Sequence, residues 1–295
     1  MNSPFHSLRQ QVIDTTEQAL ESGALQPIAT QLEILPDASL QFYVRILDNL
    51  VRKEAAQKRP KSKKPFNPFL PYEKALFVAH LSETHACLLN KYNVVEHHIL
   101  MVTREYESQE SWLTQTDFEA LTHCLAQING LGFYNGGSQA GASQHHKHLQ
   151  LVPFSETDGG HDLPLTKLIL AEQEVLKTST QISSLPFRHS IQLLKINWAQ
   201  DVASEISQQL FKHYQDLMID IGLKLDSAQP DIPYNLLVTR EWMAVVPRSQ
   251  ESYQNIGVNS LGYSGWLLVK NYEDLEKLKQ IGPMNLLKIV GKEFQ

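Results

Sequence analysis

Three histidines and a glutamine stand together in the run His145-His146-Lys147-His148-Leu149-Gln150. A neutral imidazole can act as nucleophile, base or metal ligand. If residues 146–154 form a strand, alternate side chains share a face. His146, His148 and Gln150 then line one side, and Lys147, Leu149 and Leu151 the other. The preceding residues, FYNGGSQAGASQH (133–145), include Gly136, Gly137 and Gly141, where the backbone can bend tightly and approach a ligand closely. Successive N–H groups in such a bend form an anion nest, and Ser138, Ser143 and Gln144 add side-chain donors. An anion cradle that runs into a strand of imidazoles suits phosphoryl or nucleotidyl transfer. A zinc site completed by His85, His97 or His98 is a second reading, although neither a cysteine pair nor an HExxH pattern is present. A His-rich surface turn is a third.

The elements that must position these residues can be read from periodicity. Ser3-Pro4 can open a helix that carries Leu8, Val12, Ile13, Ala19 and Leu20 and stops at Gly23. Leu40–Leu47 is rich in β-formers. Strand-like runs follow at 75–81, 86–89 and 97–103, close enough to be antiparallel neighbours. Residues 111–130 read as a helix with Leu121, Leu125 and Ile128 on its apolar stripe, a cap at Thr116 or Asp117, and a stop at Gly130 or Gly132. Phe133-Tyr134 then leads into the glycine-rich loop. SETDGGHDLP (155–164) is a turn-rich break. It divides an N-terminal half, 1–160, from a C-terminal half, 161–295, unless the two form one continuous domain. The second half reads as a strand near 191–196, a helix near 203–222, two strands in PYNLLVTREWMAVVPR, another in GWLLVK, and a helical end. Strands and helices mix without βαβ alternation, so the expected class is α+β with a mainly antiparallel sheet flanked by helices.

Composition narrows the function classes. The chain has 295 residues and a formal net charge of −6, so no global attraction to nucleic acid or an anionic membrane is expected. No run approaches the ~20 apolar residues that span a bilayer, and the N-terminus lacks a secretory pattern. The two cysteines, Cys87 and Cys124, form no CxxC pair and suit a reducing compartment. A cytoplasmic protein is expected. One local basic run breaks the acidic balance: residues 51–71 carry Arg52, Lys53, Lys58, Arg59, Lys61, Lys63 and Lys64 against Glu54 alone. It is a solvated connector or a source of phosphate-binding lysines.

HKHLQ resembles the histidine-triad superfamily, in the branch where glutamine replaces the third histidine. Galactose-1-phosphate uridylyltransferases of that branch usually carry proline and glycine where Lys147 and Leu149 stand. The longer string FYN-GG-x2-AGASQ-x-HKHLQ resembles the diadenosine tetraphosphate phosphorylases, also called ATP adenylyltransferases. So do NPFLPYEKALFV (67–78), LLNKYNVVEHHILMVTRE (88–105), PYNLLVTREWMAVVPR (233–248) and NSLGYSGWLLVK (259–270). Five segments in the same order, from about residue 40 to 270, make the likeness specific. His145 departs from it, standing where family members often have proline.

The resemblance implies a histidine-triad, uridylyltransferase-like fold and assigns roles. His148 would attack the α-phosphorus of diadenosine tetraphosphate, release ATP and become adenylyl-histidine. Phosphate would then take the adenylyl group and leave as ADP. The carbonyl beside His146 would accept the other N–H of His148. Gln150, Ser143 and the N–H groups of Gly141, Ala142 and Gln144 would donate to phosphoryl oxygens. Glutamine is no general acid, which suits transfer between phosphates, whose leaving groups need none. Asn90, Lys91 and Asn135 resemble nucleotide contacts. Lys53, with Lys64 second, resembles the N-terminal phosphate-binding lysine, and Asn259, Ser260, Gly262 and Lys270 complete the set. Each also has a plain reading: Asn90 caps a turn, Asn259 and Gly262 shape a loop, and Lys270 is solvated. His97 and His98 sit in an apolar run, where one is a core or hydrogen-bonded histidine. The expected ligands are diadenosine tetraphosphate, ATP, ADP, AMP and phosphate. Mg²⁺ or another divalent cation is expected to accompany the nucleotide, with no protein-caged metal. The C-terminal half is expected to complete the pocket, which favours a monomer. Release of sulfate from adenylyl sulfate is a further expected reaction. A hexose-1-phosphate nucleotidyltransferase and a non-enzymatic nucleotide sensor are the rival readings.

Overall fold

A computed structural model describes residues 7–47, 67–154 and 163–293. Along the chain come α1 (Leu8–Glu21), β1 (Thr30–Asp37), β2 (Leu40–Leu47), β3 (Phe77–His80), β4 (His85–Leu89) and β5 (Ile99–Thr103). Next are α2 (Gln115–Gln127), β6 (Gly130–Gly136), β7 (His148–Pro153), α3 (Pro164–Ala171), β8 (Ser190–Leu193) and α4 (Ala203–Asp220). The last elements are β9 (Tyr234–Val238), β10 (Trp242–Pro247), β11 (Ser252–Tyr253), β12 (Ile256–Gly257), α5 (Ser260–Ser264), β13 (Trp266–Val269), α6 (Tyr272–Ile281) and α7 (Pro283–Val290). The α+β class holds.

Eight strands form one sheet in the order β3-β4-β5-β7-β6-β9-β10-β8, and every pairing in it is antiparallel. A second sheet, β1-β2-β13, has an antiparallel hairpin and one parallel pairing, β2 with β13. The large sheet is apolar on both faces. Leu149 and Leu151 of β7, with Ile99 and Met101 of β5, pack into a core with α1, α2 and α4. On the other face Leu131, Phe133, Val152 and Leu237 are roofed by β2, β13 and helices α3, α6 and α7. Among the described residues that roof does not extend over β4 and β5, where Leu88, Leu100 and Val102 form a smaller cluster with Phe69. His148 and Gln150 lie on this face, because they alternate with Leu149 and Leu151.

The N-terminal helix starts later than the pattern suggested. Ser7 is its cap, accepting from the N–H of Gln10, and Ser3 and Pro4 lie outside the described residues. Thr114 caps α2, with Asp117 closing a capping box at the third helical position. The larger difference is β6. Residues 130–136, to which the pattern assigned no strand, form a buried central strand. The basic segment that holds Lys53 and Lys64 lies outside the described residues, as does most of the 155–164 break. Among the described residues no helix is long and apolar enough to cross a membrane.

Candidate active site

β7 opens on His148, which is only 4% exposed. Its Nδ1–H donates to the His146 carbonyl oxygen at 2.9 Å. A carbonyl can only accept, so the proton sits on Nδ1 and Nε2 keeps its lone pair. His146 differs. Its Nε2–H donates to the Thr103 carbonyl at 2.8 Å, close to Thr103 Oγ1, and its Nδ1 accepts from Asn67 Nδ2 at 3.0 Å. Both of its ring nitrogens have partners, whereas among the described residues Nε2 of His148 has none. The Phe69 ring packs against both imidazoles, with centroids 5.6 and 5.2 Å away. His145 is exposed, as its place in the loop implied.

The backbone of His148 is clamped by one side chain. Its N–H donates to Gln109 Oε1 at 2.8 Å, and Gln109 Nε2 donates to the carbonyls of His148 (3.2 Å) and Asn135 (2.9 Å). Regular pairing of β6 with β7 stops at Phe133–Gln150. Gln109, 2% exposed, supplies the next rung. Gln150 is held from the opposite side. Its Oε1 accepts from His98 Nε2–H at 3.0 Å, and His98 Nδ1 accepts from Asn90 Nδ2 at 3.1 Å.

Burial governs the electrostatics. It pushes His148 down to about 4, with the hydrogen bond to the His146 carbonyl opposing and the charge of His146 adding. His98 also falls to about 4 through burial, against the bond to Gln150 and with help from His148. Burial lowers His146 too. The three imidazoles are therefore neutral at pH 7. Their N–H groups are all bonded within the protein, so among the described residues the face they share presents one free ring nitrogen, on His148, beside the Gln150 amide, a nucleophile and a donor suited to a phosphoryl group.

Lys147, between the two histidines, points to the opposite face and is fully buried. Its ammonium lies 2.8 Å from Asp117 Oδ2 and 3.0 Å from Glu107, and donates to the Trp112 carbonyl at 2.9 Å. A buried charge is tolerated when paired and hydrogen-bonded in this way. Burial alone would raise Asp117, but bonds from His85 and Lys147 hold it below the usual carboxylate range. Lys147 thus ties the histidine strand to the first turn of α2.

Other predicted positions fall differently. Asn135 Oδ1 accepts from Asn235 Nδ2, the Ser260 N–H and the Ser260 hydroxyl at 2.8, 2.9 and 2.8 Å. Among the described residues its Nδ2 has no protein acceptor, so that end is available to a ligand. Ser260 is fully buried, and it orients Asn135 where a substrate contact was expected. Gly262 is a packing position, because a Cβ there would lie 2.7 Å from Val258 Cγ1. Asn259 caps α5 through the N–H of Leu261. The N–H groups of Gly141 and Ala142 do not face outward as expected. They turn back to the carbonyls of Ser138 (2.9 Å) and Gly137 (3.2 Å), because the loop winds into a short 3₁₀ turn. Gly141 is still needed, at φ +88 and with Val258 O and Asn259 Cβ each 2.8 Å from where a Cβ would stand. The N–H groups of Ser143 and Gln144 have no acceptor among the described residues and remain for a ligand. Lys91 pairs with Glu73 at 2.6 Å, and Lys270 is exposed at the end of β13.

Of the pair His97 and His98, expected to include a core or hydrogen-bonded histidine, His98 is the one bonded to Gln150. Asn67, Phe69 and Thr103 lie in segments that carry the family resemblance, which assigns them no role, and Gln109 lies outside them, with no local pattern to mark it.

Comparison with known proteins agrees with this geometry. Residues 2–171 match the Ap4A phosphorylase N-terminal domain, and residues 183–293 match the ATP adenylyltransferase C-terminal domain. The chain is 29% identical to diadenosine 5',5'''-P1,P4-tetraphosphate phosphorylase 2 of Saccharomyces cerevisiae, over 93% of this chain and 90% of that protein. It is 26% identical to the protein APA1 of the same yeast, over 91% and 88%. Its fold is similar to the crystal structure of yeast Ap4A phosphorylase Apa2 in complex with Ap4A, with a TM-score of 0.76, 25% identity and 98% of each chain covered. The complex of Apa2 with AMP is similar too, with a TM-score of 0.75 and 26% identity. The chain belongs to the Ap4A phosphorylase family.

Proposed function

We propose that the chain is a nucleotidyltransferase that phosphorolyses diadenosine tetraphosphate to ADP and ATP through an adenylyl-His148 intermediate. The observation that carries this reading is the unequal proton inventory of the two histidines. Of the two, His148 alone has a ring nitrogen without a partner among the described residues, and its other nitrogen is tied to a carbonyl. Nε2 attacks the α-phosphorus in line, and the bond to the bridging oxygen breaks to release ATP. The Nδ1–H bond to His146 strengthens as positive charge develops on the ring. Gln150, Asn135 and the N–H groups of Ser143 and Gln144 meet the non-bridging oxygens. Phosphate then attacks the same phosphorus, the P–Nε2 bond breaks, and ADP leaves. His148 keeps its single proton throughout, so no acid is required.

The lining is donor-rich, so Mg²⁺ or another divalent cation is carried by the polyphosphate's own oxygens and not held in a protein cage. Lys53 and Lys270 are assigned to the distal phosphates, and Asn90, Lys91 and Asn259 to the nucleotide's surroundings. The two halves work as one pocket in a monomer. The compartment is the cytoplasm, which suits two unpaired buried cysteines.

Purified chain incubated with diadenosine tetraphosphate and phosphate is expected to yield equal ADP and ATP. His148→Asn is expected to abolish turnover, a loss of at least about 10³-fold by analogy with other removed nucleophiles, while AMP still binds. Absence of ADP and ATP from the parent chain would refute the reading. AMP binding without turnover would make it a sensor.

A further inference from the structure

The geometry points to His98 as the positioning residue that decides which end of the Gln150 amide meets the phosphoryl group. This rests on the proposed role of Gln150 as a donor to a non-bridging oxygen. A glutamine amide has two ends of nearly equal size, an acceptor oxygen and a donor NH₂. Only the donor end can stabilise a phosphoryl oxygen, and the acceptor end would repel it. Something must therefore choose.

The choice traces back to a backbone group that cannot turn over. The N–H of Tyr92 approaches Asn90 Oδ1 at 3.4 Å, which places the Asn90 NH₂ toward His98. Asn90 Nδ2 donates to His98 Nδ1 at 3.1 Å, so the single proton of the neutral ring sits on Nε2. Nε2–H then donates to Gln150 Oε1 at 3.0 Å, and the NH₂ of Gln150, which has no acceptor among the described residues, is left for the ligand. The strands hold this relay in register. Leu89 pairs with Ile99, the N–H of Asn90 reaches the His98 carbonyl at 2.9 Å, and Leu100 pairs with Gln150. His98 is only 7% exposed, which keeps water from substituting for it. Asn135 on β6 has its oxygen occupied in the same way, by three donors that include the backbone N–H of Ser260. The two outward amides of the site thus share one rule: the carbonyl end is tied down and the donor end is left free.

A removed oxyanion donor costs about 10²–10³ in kcat. Freeing the Gln150 amide to turn wastes part of that. His98→Ala is expected to lower kcat with diadenosine tetraphosphate and phosphate by about 10–100-fold, with KM changed by less than about threefold. His98→Gln, which can place an N–H near the lost Nε2, is expected to recover most of kcat. In a Gln150→Ala background, His98→Ala is expected to cost less than about threefold, because the group it positions is gone. Equal losses with and without Gln150, a loss confined to KM, or no rescue by glutamine would overturn the assignment. A second measurement needs no turnover. The side-chain amide resonances of Gln150, identified by their loss in Gln150→Ala, should be distinct in the parent and in His98→Gln and collapse toward free-glutamine positions in His98→Ala. Unchanged resonances in His98→Ala would also overturn it. A parent chain that leaves diadenosine tetraphosphate intact would sink the proposed function, and the amide signal would still decide the role of His98.

Discussion

His146 and His148 are chemically the same residue two positions apart, and their partners make them different. Among the described residues one has a donor and an acceptor on its two nitrogens, and the other has a carbonyl alone. The contrast sets a pH prediction. An ordinary histidine is half-protonated near pH 6.5 and loses its nucleophilic lone pair below that. His148 is pushed down to about 4 by burial. At saturating substrates, kcat is expected to show no acid limb near 6.5, and a limb closer to 4 if the fold survives. A half-maximal kcat at pH 6.5 would contradict it. The stability sign runs the other way round from a salt-bridged histidine. The folded values of His98 and His148 lie below the unfolded one, so the unfolded chain binds protons first. Their stability contribution is intact above about pH 6.5 and declines toward 4, by roughly 1.4 kcal/mol per pH unit for each ring.

Among the elements, β6 holds the site together and was the hardest to read. Its sequence, GLGFYNG, has the glycines of a loop. The structure gives them a packing reason: a Cβ on Gly130 would stand 2.4 Å from the Val152 carbonyl oxygen, and one on Gly132 would stand 2.6 Å from Leu121 Cδ1. Gly130→Ala therefore pushes β6 off β7 against backbone that cannot yield. A loss of about 1–3 kcal/mol is expected, read as a lower urea midpoint at unchanged slope. An unchanged midpoint would show that the strands part without cost. Legibility follows the same physics. Period-2 and helical patterns revealed β2, β4, β5, β7, β9 and β10 and placed His146, His148 and Gln150 on one face. Residues that act across sequence distance left no such trace. Gln109 reaches His148 from 39 positions away, Asn67 reaches His146 from 79, and Ser260 reaches Asn135 from 125. Gly141 and Ala142 looked like anion donors because glycine-rich bends often are. The 3₁₀ turn that consumes their N–H groups depends on packing against Val258 and Asn259, which no local reading contains.

At the scale of the molecule, the two matched segments, 2–171 and 183–293, contribute strands to the same sheets. β6 pairs with β9 across the division, so the eight-stranded sheet is built from both. β13 completes the small sheet by pairing with β2. The core on the roofed face mixes Phe42, Val44 and Phe133 with Leu237, Trp242 and Leu267. The buried guanidinium of Arg248 reinforces the join. It donates to Asn235 Oδ1 at 2.7 Å and to the Val258 carbonyl at 2.8 Å, and Asn235 in turn orients Asn135 beside the nucleophile's strand. Cutting the chain between the segments would leave β6 as an exposed edge and half of an apolar core in water, a state prone to association. Residues 1–171 produced alone are therefore expected to show no cooperative thermal transition and no turnover. Co-expression with residues 172–295 is expected to restore both. The intact chain should melt in one transition by calorimetry and by circular dichroism. A fragment 1–171 that melts cooperatively by itself would mean that the site's frame needs only the first segment, and that the second contributes contacts without contributing the fold.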